Sequence, residues 1–243
     1  MYRATPPSRE LATWVSSGWR ETVSPGSHED GVHPDATIDV VWDGSDLVVF
    51  GPRTRSGGPA DPGTGTLVGV SLRHGSTRAM LGETAGALAD RIVPLESLWG
   101  SAGRVATARL GAAGSTHSMA ELCSILSERG RALMREPDRL IPRVVELAAL
   151  GTTVRGIANE VGLSDRQLFR RCVDEVGYGP KYLVRVLRFQ RLLGLARRLP
   201  DANLAVLAVA AGYADQPHMS RECRALTGVT PARLVHSQRH LSR

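Results

Sequence analysis

Two arginines, Arg170 and Arg221, stand fifty-one residues apart in stretches that otherwise repeat one another. A guanidinium presents two parallel donors and so can grip guanine O6 and N7, or a phosphate, where a point charge cannot. Beside the first lie Arg166, Gln167 and Arg171. On a helix that starts at Ser164, Arg166, Gln167 and Arg170 fall on the side away from Leu168 and Cys172, which makes them candidates for base edges; Gln can pair with adenine as Arg does with guanine, each good bidentate contact being worth ~1–3 kcal/mol of discrimination. Arg171 is a candidate for phosphate. The competing reading is that Arg170 and Arg221 are neutralised inside their own domain, by carboxylates such as Glu175 or Glu222.

Other chemistry is poorly supplied. The seven histidines form no HxH or HExxH spacing, and His28, His33, His74 and His117 fall in predicted loops, so a metal-dependent, cupin-like enzyme in the front half finds no ligand set. Cys123, Cys172 and Cys223 lie about fifty residues apart in apolar-periodic stretches, which suits reduced core thiols and neither a disulfide framework nor a CxxC knuckle. Cys123 sits on an apolar stripe without an adjacent Pro or His, unlike the reactive cysteine that some DNA-repair methyltransferases couple to a DNA-binding domain. No GxSxG or dinucleotide fingerprint occurs, and the Gly- and Pro-rich loop Gly51–Gly65 lacks the Lys and the strand-to-helix context of a phosphate cradle. No catalytic residue, metal or cofactor is expected.

The elements that would position the arginines come from a duplication. Val154, Ile157, Ala158 and Val161 precede Gly162 at helical spacing, and Leu204, Leu207, Ala208 and Ala211 precede Gly212 in the same way, offset by fifty. Past the glycines the offset becomes fifty-one, matching Cys172 with Cys223, Gly177 with Gly228 and Pro180 with Pro231. Each unit reads as a short helix, a turn at Gly, and a second helix capped by Ser164 or Asp215, with a small Ala that lets the helices cross closely. Between the units, Lys181–Leu199 repeats apolar residues every three or four positions and predicts one long helix. Nineteen residues span roughly 28 Å, against ~34 Å between successive major-groove faces. One chain could then read two adjacent grooves.

Residues 150–235 resemble the DNA-binding domain of the AraC/XylS family of bacterial transcription regulators. Ile157-Ala158, Gly162-Leu163-Ser164, Leu168, Arg170 and Val176-Gly177 leading to Pro180 look like that family's first motif. Ala210-Ala211-Gly212-Tyr213, Asp215-Gln216, His218-Met219-Ser220-Arg221 and Thr227-Gly228-Val229-Thr230-Pro231 look like its second. Cys172 and Cys223 depart from it, standing where an aromatic is usual. The resemblance implies that Gln216, His218, Ser220 and Arg221 contact DNA, with His218 alternatively serving only as a cap. It further implies double-stranded DNA and RNA polymerase as partners, and a small-molecule effector or a homodimer contact through the front half. His33-Pro34-Asp35, Asp39-Val40-Val41-Trp42, Gly51-Pro52 and Val93-Pro94-Leu95-Glu96 resemble an uncharacterised amino-terminal domain often attached to such regulators.

The charge distribution agrees. Residues 1–118 hold 10 Arg against 12 acidic groups, 119–150 balance at 5 against 5, and 151–243 hold 15 basic against 7 acidic, so the excess of the +6 net charge lies in the tail. With 42% hydrophobic and 22% charged residues, a chain of 243 residues can bury a core. Its longest uncharged apolar stretch, Leu204–Ala214, is far short of the ~20 residues that span a bilayer, and a cytoplasmic protein is expected.

The expected fold is an α+β domain over residues 1–117, connecting helices over 118–150 that either link or dimerise the domains, and an all-α domain over 151–243 with two helix-turn-helix units joined by the long helix. In the front part we expect a helix over residues 10–19, a hairpin from Thr37–Trp42 and Leu47–Phe50 around Asp43-Gly44-Ser45, a strand at Leu67–Leu72, a helix at Thr84–Arg91 and a strand at Arg104–Leu110, with the strands in a barrel-like arrangement. A Gly/Ala/Ser linker should then run to His117. Trp14, Trp19, Trp42 and Trp99 offer an effector pocket or ordinary core.

Overall fold

The computed structural model describes residues 2–23, 32–57, 65–133 and 135–240. His28 and the middle of the Gly51–Gly65 loop lie outside the described residues. Among the described residues the front half is an antiparallel sheet of six strands, β1 (Tyr2–Thr5), β2 (Val15–Val23), β3 (Asp39–Trp42), β4 (Leu47–Phe50), β5 (Gly65–Leu72) and β6 (Ile92–Pro94), in the order β1-β2-β5-β3-β4-β6. It is open, with β1 and β6 as its edges, and not the barrel that was expected. The expected hairpin is present as β3 and β4, its turn closed by Asp43, whose Oδ1 accepts from the backbone N–H groups of Ser45 and Asp46 at 2.8 Å each. Where β2 pairs with β5, Trp19 stands opposite Gly69, and a Cβ at Gly69 would come within 2.2 Å of the indole. Only glycine lets that ring lie flat on the neighbouring strand.

Three further expectations for the front half fail. Residues 10–19 are not a helix: Val15 N–H reaches Leu11 O for one turn at 2.8 Å, after which β2 begins. The spacing of Leu11, Trp14 and Val15 serves that single turn, and the following residues find strand partners on both sides. Arg104–Leu110 is not a strand, and the Gly/Ala/Ser stretch is not a linker. Both belong to α4 (Ser101–Ala132), which folds back on itself at Gly114 (φ 67°, ψ 169°). Arg109 on the outgoing limb meets Glu121 at 2.6 Å and Glu128 at 2.6 Å on the returning limb, clamping the two antiparallel limbs together.

Short helices α1 (Thr77–Leu81), α2 (Ala85–Leu88) and α3 (Leu95–Trp99) complete this half. Its core sits between the sheet and α4: Val40, Trp42, Val49, Val68 and Val70 meet Leu110, Leu122 and Leu126. A smaller cluster of Trp19, Val41, Val48 and Leu67 lies on the other face of the sheet. Of the four tryptophans, Trp14, Trp42 and Trp99 thus belong to the first cluster and Trp19 to the second, so they do not gather around one pocket.

The tail is helical: α5 (Ile141–Ala149), α6 (Val154–Glu160), α7 (Asp165–Val176), α8 (Pro180–Arg198), α9 (Leu204–Ala211), α10 (Gln216–Thr227) and α11 (Pro231–His240). One core runs through all of it, from Ile141 and Val144 through Leu168, Phe189 and Leu193 to Leu207, Met219 and Leu234. Phe189, near the middle of α8, is fully buried. No helix among the described residues is long and apolar enough to cross a membrane.

Candidate nucleic-acid interface

Each half of the duplicated tail builds the same device. In the first, Thr153 caps α6 by accepting from Gly156 N–H at 3.1 Å, the chain turns at Gly162 (φ 67°), and Ser164 caps α7. In the second, Asn203 caps α9 by accepting from Val206 N–H at 2.9 Å, the chain turns at Gly212 (φ 91°), and Asp215 caps α10 by accepting from His218 N–H at 2.6 Å. The left-handed backbone at both turns is the conformation that glycine adopts without steric penalty. Leu168, Cys172 and Val176 bury one face of α7, and Met219, Cys223 and Leu226 bury the matching face of α10. Burial pushes the Cys172 and Cys223 thiols up to about 12, which leaves both protonated and unreactive at neutral pH.

On the opposite face of α7, Arg166, Gln167 and Arg170 are exposed, as are Gln216 and Arg221 on α10. Neither Arg170 nor Arg221 has an ion pair or hydrogen bond among the described residues. The carboxylates that could have neutralised them are engaged elsewhere or isolated. Glu222 takes Arg185 at 3.1 Å and Arg188 at 3.4 Å, both from α8, while among the described residues Glu175 forms no ion pair and its buried Oε2 finds no partner. A guanidinium on a helix face with no internal counter-charge is free to find one outside the protein.

The remaining candidates are more constrained. Gln167 closes a capping box: its Oε1 accepts from Ser164 N–H at 2.9 Å and from the Ser164 hydroxyl at 2.9 Å, so its amide N–H groups are what it can still offer. Arg171 is half-buried and bound through both oxygens of Asp138, at 3.0 and 2.8 Å. His218 is half-buried, its Nδ1 accepting from Ala214 N–H at 3.4 Å, its Nε2 3.6 Å from Glu222 and its ring edge-on to Tyr213. Ser220 is half-buried as well. One residue escaped the sequence reading: Phe169, 57% exposed on α7 between Gln167 and Arg170, lies over the backbone of Gly179. Its signal was an aromatic one position off the apolar stripe, and a large apolar group on that face can meet a thymine methyl.

The front half is fixed to both repeats. Against the first, Pro52 lies under Gly177, Thr77 donates to Glu175 O at 3.3 Å, and Arg78 reaches Asp174 at 3.8 Å. Against the second, Ser56 N–H donates to Leu226 O at 2.8 Å. On α8 between them, the Tyr182 hydroxyl donates to Thr54 O, Gln190 donates to Pro34 O at 2.6 Å, and the His33 ring packs edge-on against Phe189. Among the described residues no group of His, Cys, Asp and Glu is arranged to hold a metal ion.

Comparison with known proteins places names on these parts. A family described as a helix-turn-helix domain matches residues 157–237, and one described as a domain of unknown function (DUF6597) matches residues 3–94. No curated protein matches the chain. Among solved structures, a probable AraC family transcriptional regulator from Rhodopseudomonas palustris is similar at 20% identity and a TM-score of 0.37, over 42% of this chain and 99% of that one. An apo lysine-to-alanine variant of ToxT from Vibrio cholerae is similar at 11% identity and a TM-score of 0.46, over 97% of this chain and 96% of that one. ToxT itself aligns at 10% identity and a TM-score of 0.41, over 83% and 86%.

Proposed function

We propose that the chain, whose residues 157–237 match a helix-turn-helix domain and resemble the AraC/XylS DNA-binding domain, is a sequence-specific DNA-binding transcription regulator whose two recognition helices, α7 and α10, enter adjacent segments of the major groove. The observation that carries the reading is the pair Arg170 and Arg221, equivalent in the duplication, exposed, and without internal partners. Gln216 and the amide of Gln167 supply further donors on the same helices. Arg171, His218 and Ser220 stand at their margins, Arg171 reaching phosphate only if it leaves Asp138. In this reading the protein is not an enzyme, and the front half, into whose core both limbs of α4 pack, responds to an effector or to a second copy and passes that response to the tail and to RNA polymerase. The contacts of Pro34, Pro52, Thr54, Ser56 and Thr77 with the tail support such a connection.

The test is selection of bound fragments from the genome in which the chain is encoded, followed by titration of the enriched sequence. Arg170→Ala and Arg221→Ala should each cost ~1–3 kcal/mol on that sequence, or roughly 5- to 150-fold in affinity, and little on random DNA. No enrichment of any sequence would overturn the proposal. Equal losses on specific and random DNA would reassign both arginines to phosphate.

A further inference from the structure

An open cleft of about 640 Å³ separates the front half from the first repeat, a volume that suits a metabolite. Its walls come from three places in the chain: α1 contributes Arg78, the segment ahead of α5 contributes Arg135, Asp138 and Arg139, and α7 contributes Arg171 and Glu175. Four guanidiniums thus line one opening, and their counter-charges are incomplete. Arg171 is held by Asp138 and Arg139 by Glu136, while Arg78 reaches Asp174 only at 3.8 Å. Arg135 is exposed and has no ion pair or hydrogen bond among the described residues.

The remaining carboxyl, Glu175, is 8% exposed, with its Oε2 lacking any partner. Burial pushes it up to about 7, with Asp138 and Asp174 adding to the rise and the backbone N–H and charge of Arg78 opposing it. Near neutrality it is in part uncharged, and the cleft keeps an excess of positive charge.

We propose that this cleft binds a small organic anion, carboxylate- or phosphate-bearing, which bridges Arg78 and Arg135 and competes with Asp138 for Arg171. Asp138 is anchored to the front half, its N–H donating to Gly75 O at 2.8 Å, while Arg171 sits one residue from Arg170 on α7. An anion that draws Arg171 away therefore loosens a tie between the front half and the helix that carries Arg166 and Arg170. The site stands on its own charges; only this consequence for DNA rests on the regulator reading.

The experiment is calorimetric titration of the full chain with malonate and, separately, with sulfate, a phosphate stand-in whose charge is constant around neutrality. At least one should bind saturably at one site, and which of them binds tighter distinguishes a carboxylate from a phosphate-type ligand. Arg135→Ala should weaken binding roughly 10- to 100-fold, as expected for loss of a charge-assisted contact. The Arg166→Ala/Arg170→Ala pair, which alters the DNA-facing side of α7, should not. Wild-type affinity for sulfate should fall as pH rises through about 7 as Glu175 ionises, and the fall should be absent in Glu175→Gln. The proposal is overturned by no saturable binding of either anion, by binding indifferent to Arg135→Ala, or by the same pH dependence in wild type and Glu175→Gln. A chain that takes the anion but selects no DNA sequence would leave the cleft standing and remove the regulator reading.

Discussion

Gly177 and Gly228 end α7 and α10 in equivalent ways, which makes them a matched pair for asking what the front half presses on. Both are left-handed, at φ 97° and φ 76°, and both N–H groups close the last helical turn, Gly177 onto Cys172 O at 3.1 Å and Gly228 onto Arg224 O at 2.8 Å. An alanine at either position pays the left-handed penalty of roughly 1–2 kcal/mol. The surroundings differ. A Cβ at Gly228 meets nothing within 4 Å, whereas one at Gly177 would stand 2.3 Å from Pro52 Cγ and 3.2 Å from Ala85 O. The proline ring cannot rotate away, so relief needs a shift of backbone at the interface, and overpacking of that kind costs about 1–3 kcal/mol more. Gly228→Ala should therefore destabilise by about 1–2 kcal/mol and Gly177→Ala by about 2–5. In urea unfolding followed by circular dichroism, with m of about 2–3 kcal/mol/M, the midpoints of the two variants should differ by about 0.3–1.5 M. Pro52→Ala in the Gly177→Ala background removes the Cγ and should return most of that difference. Equal midpoints for the two single variants, or no recovery with Pro52→Ala, would refute the packing argument.

Three further outcomes are expected. Asp39 is held at about 6, first by burial and then by Asp35, against hydrogen bonds from Ser71, Trp19 and Thr37. The folded chain thus binds more protons than the unfolded one between the usual carboxylate range and about 6, so stability falls as pH rises through that window and levels above it, by about 3 kcal/mol in all; Asp39→Asn should flatten a urea-midpoint profile there. Ser164→Ala removes the capping box with Gln167 and should cost about 1 kcal/mol, seen as a thermal midpoint about 2–4 °C lower. Arg109→Gln breaks the clamp across the limbs of α4, and because these charges are partly exposed the thermal midpoint should fall only slightly and the loss should shrink in high salt.

What is legible in the sequence is what the backbone demands locally. Glycine at the turns, Ser164 and Asp215 as caps, and a small Ala at each helix crossing are requirements that a residue meets by its own shape, and all lie within a few positions of the element they serve. The front half was harder because its elements are decided by distant partners. Val105 and Thr107 gave Arg104–Leu110 the composition of a strand, yet Gly103 packs where a Cβ would come within 2.5 Å of Glu96 Cα, and Ala106 and Leu110 bury their side chains at helical spacing. Tertiary packing overrode local preference. The same holds at the interface: Asp138, the partner that Arg171 finds in the fold, lies thirty-three residues away and could not have been paired with it from spacing. The engagement of Gln167, by contrast, was written in Ser164-Asp165-Arg166-Gln167, the pattern of a capping box.

The unbroken helix α8, with both repeats packed around it in one core, acts as a ruler of fixed length. On the proposed reading, changing a base under either recognition helix alters one contact, but inserting a single base pair between the two half-sites turns one of them by about 35° and shifts it by ~3.4 Å. A rod cannot follow that rotation. Operators for such a protein would therefore drift by point substitution while keeping their phasing, and a spacer series stepped one base pair at a time should lose binding at the first step in either direction.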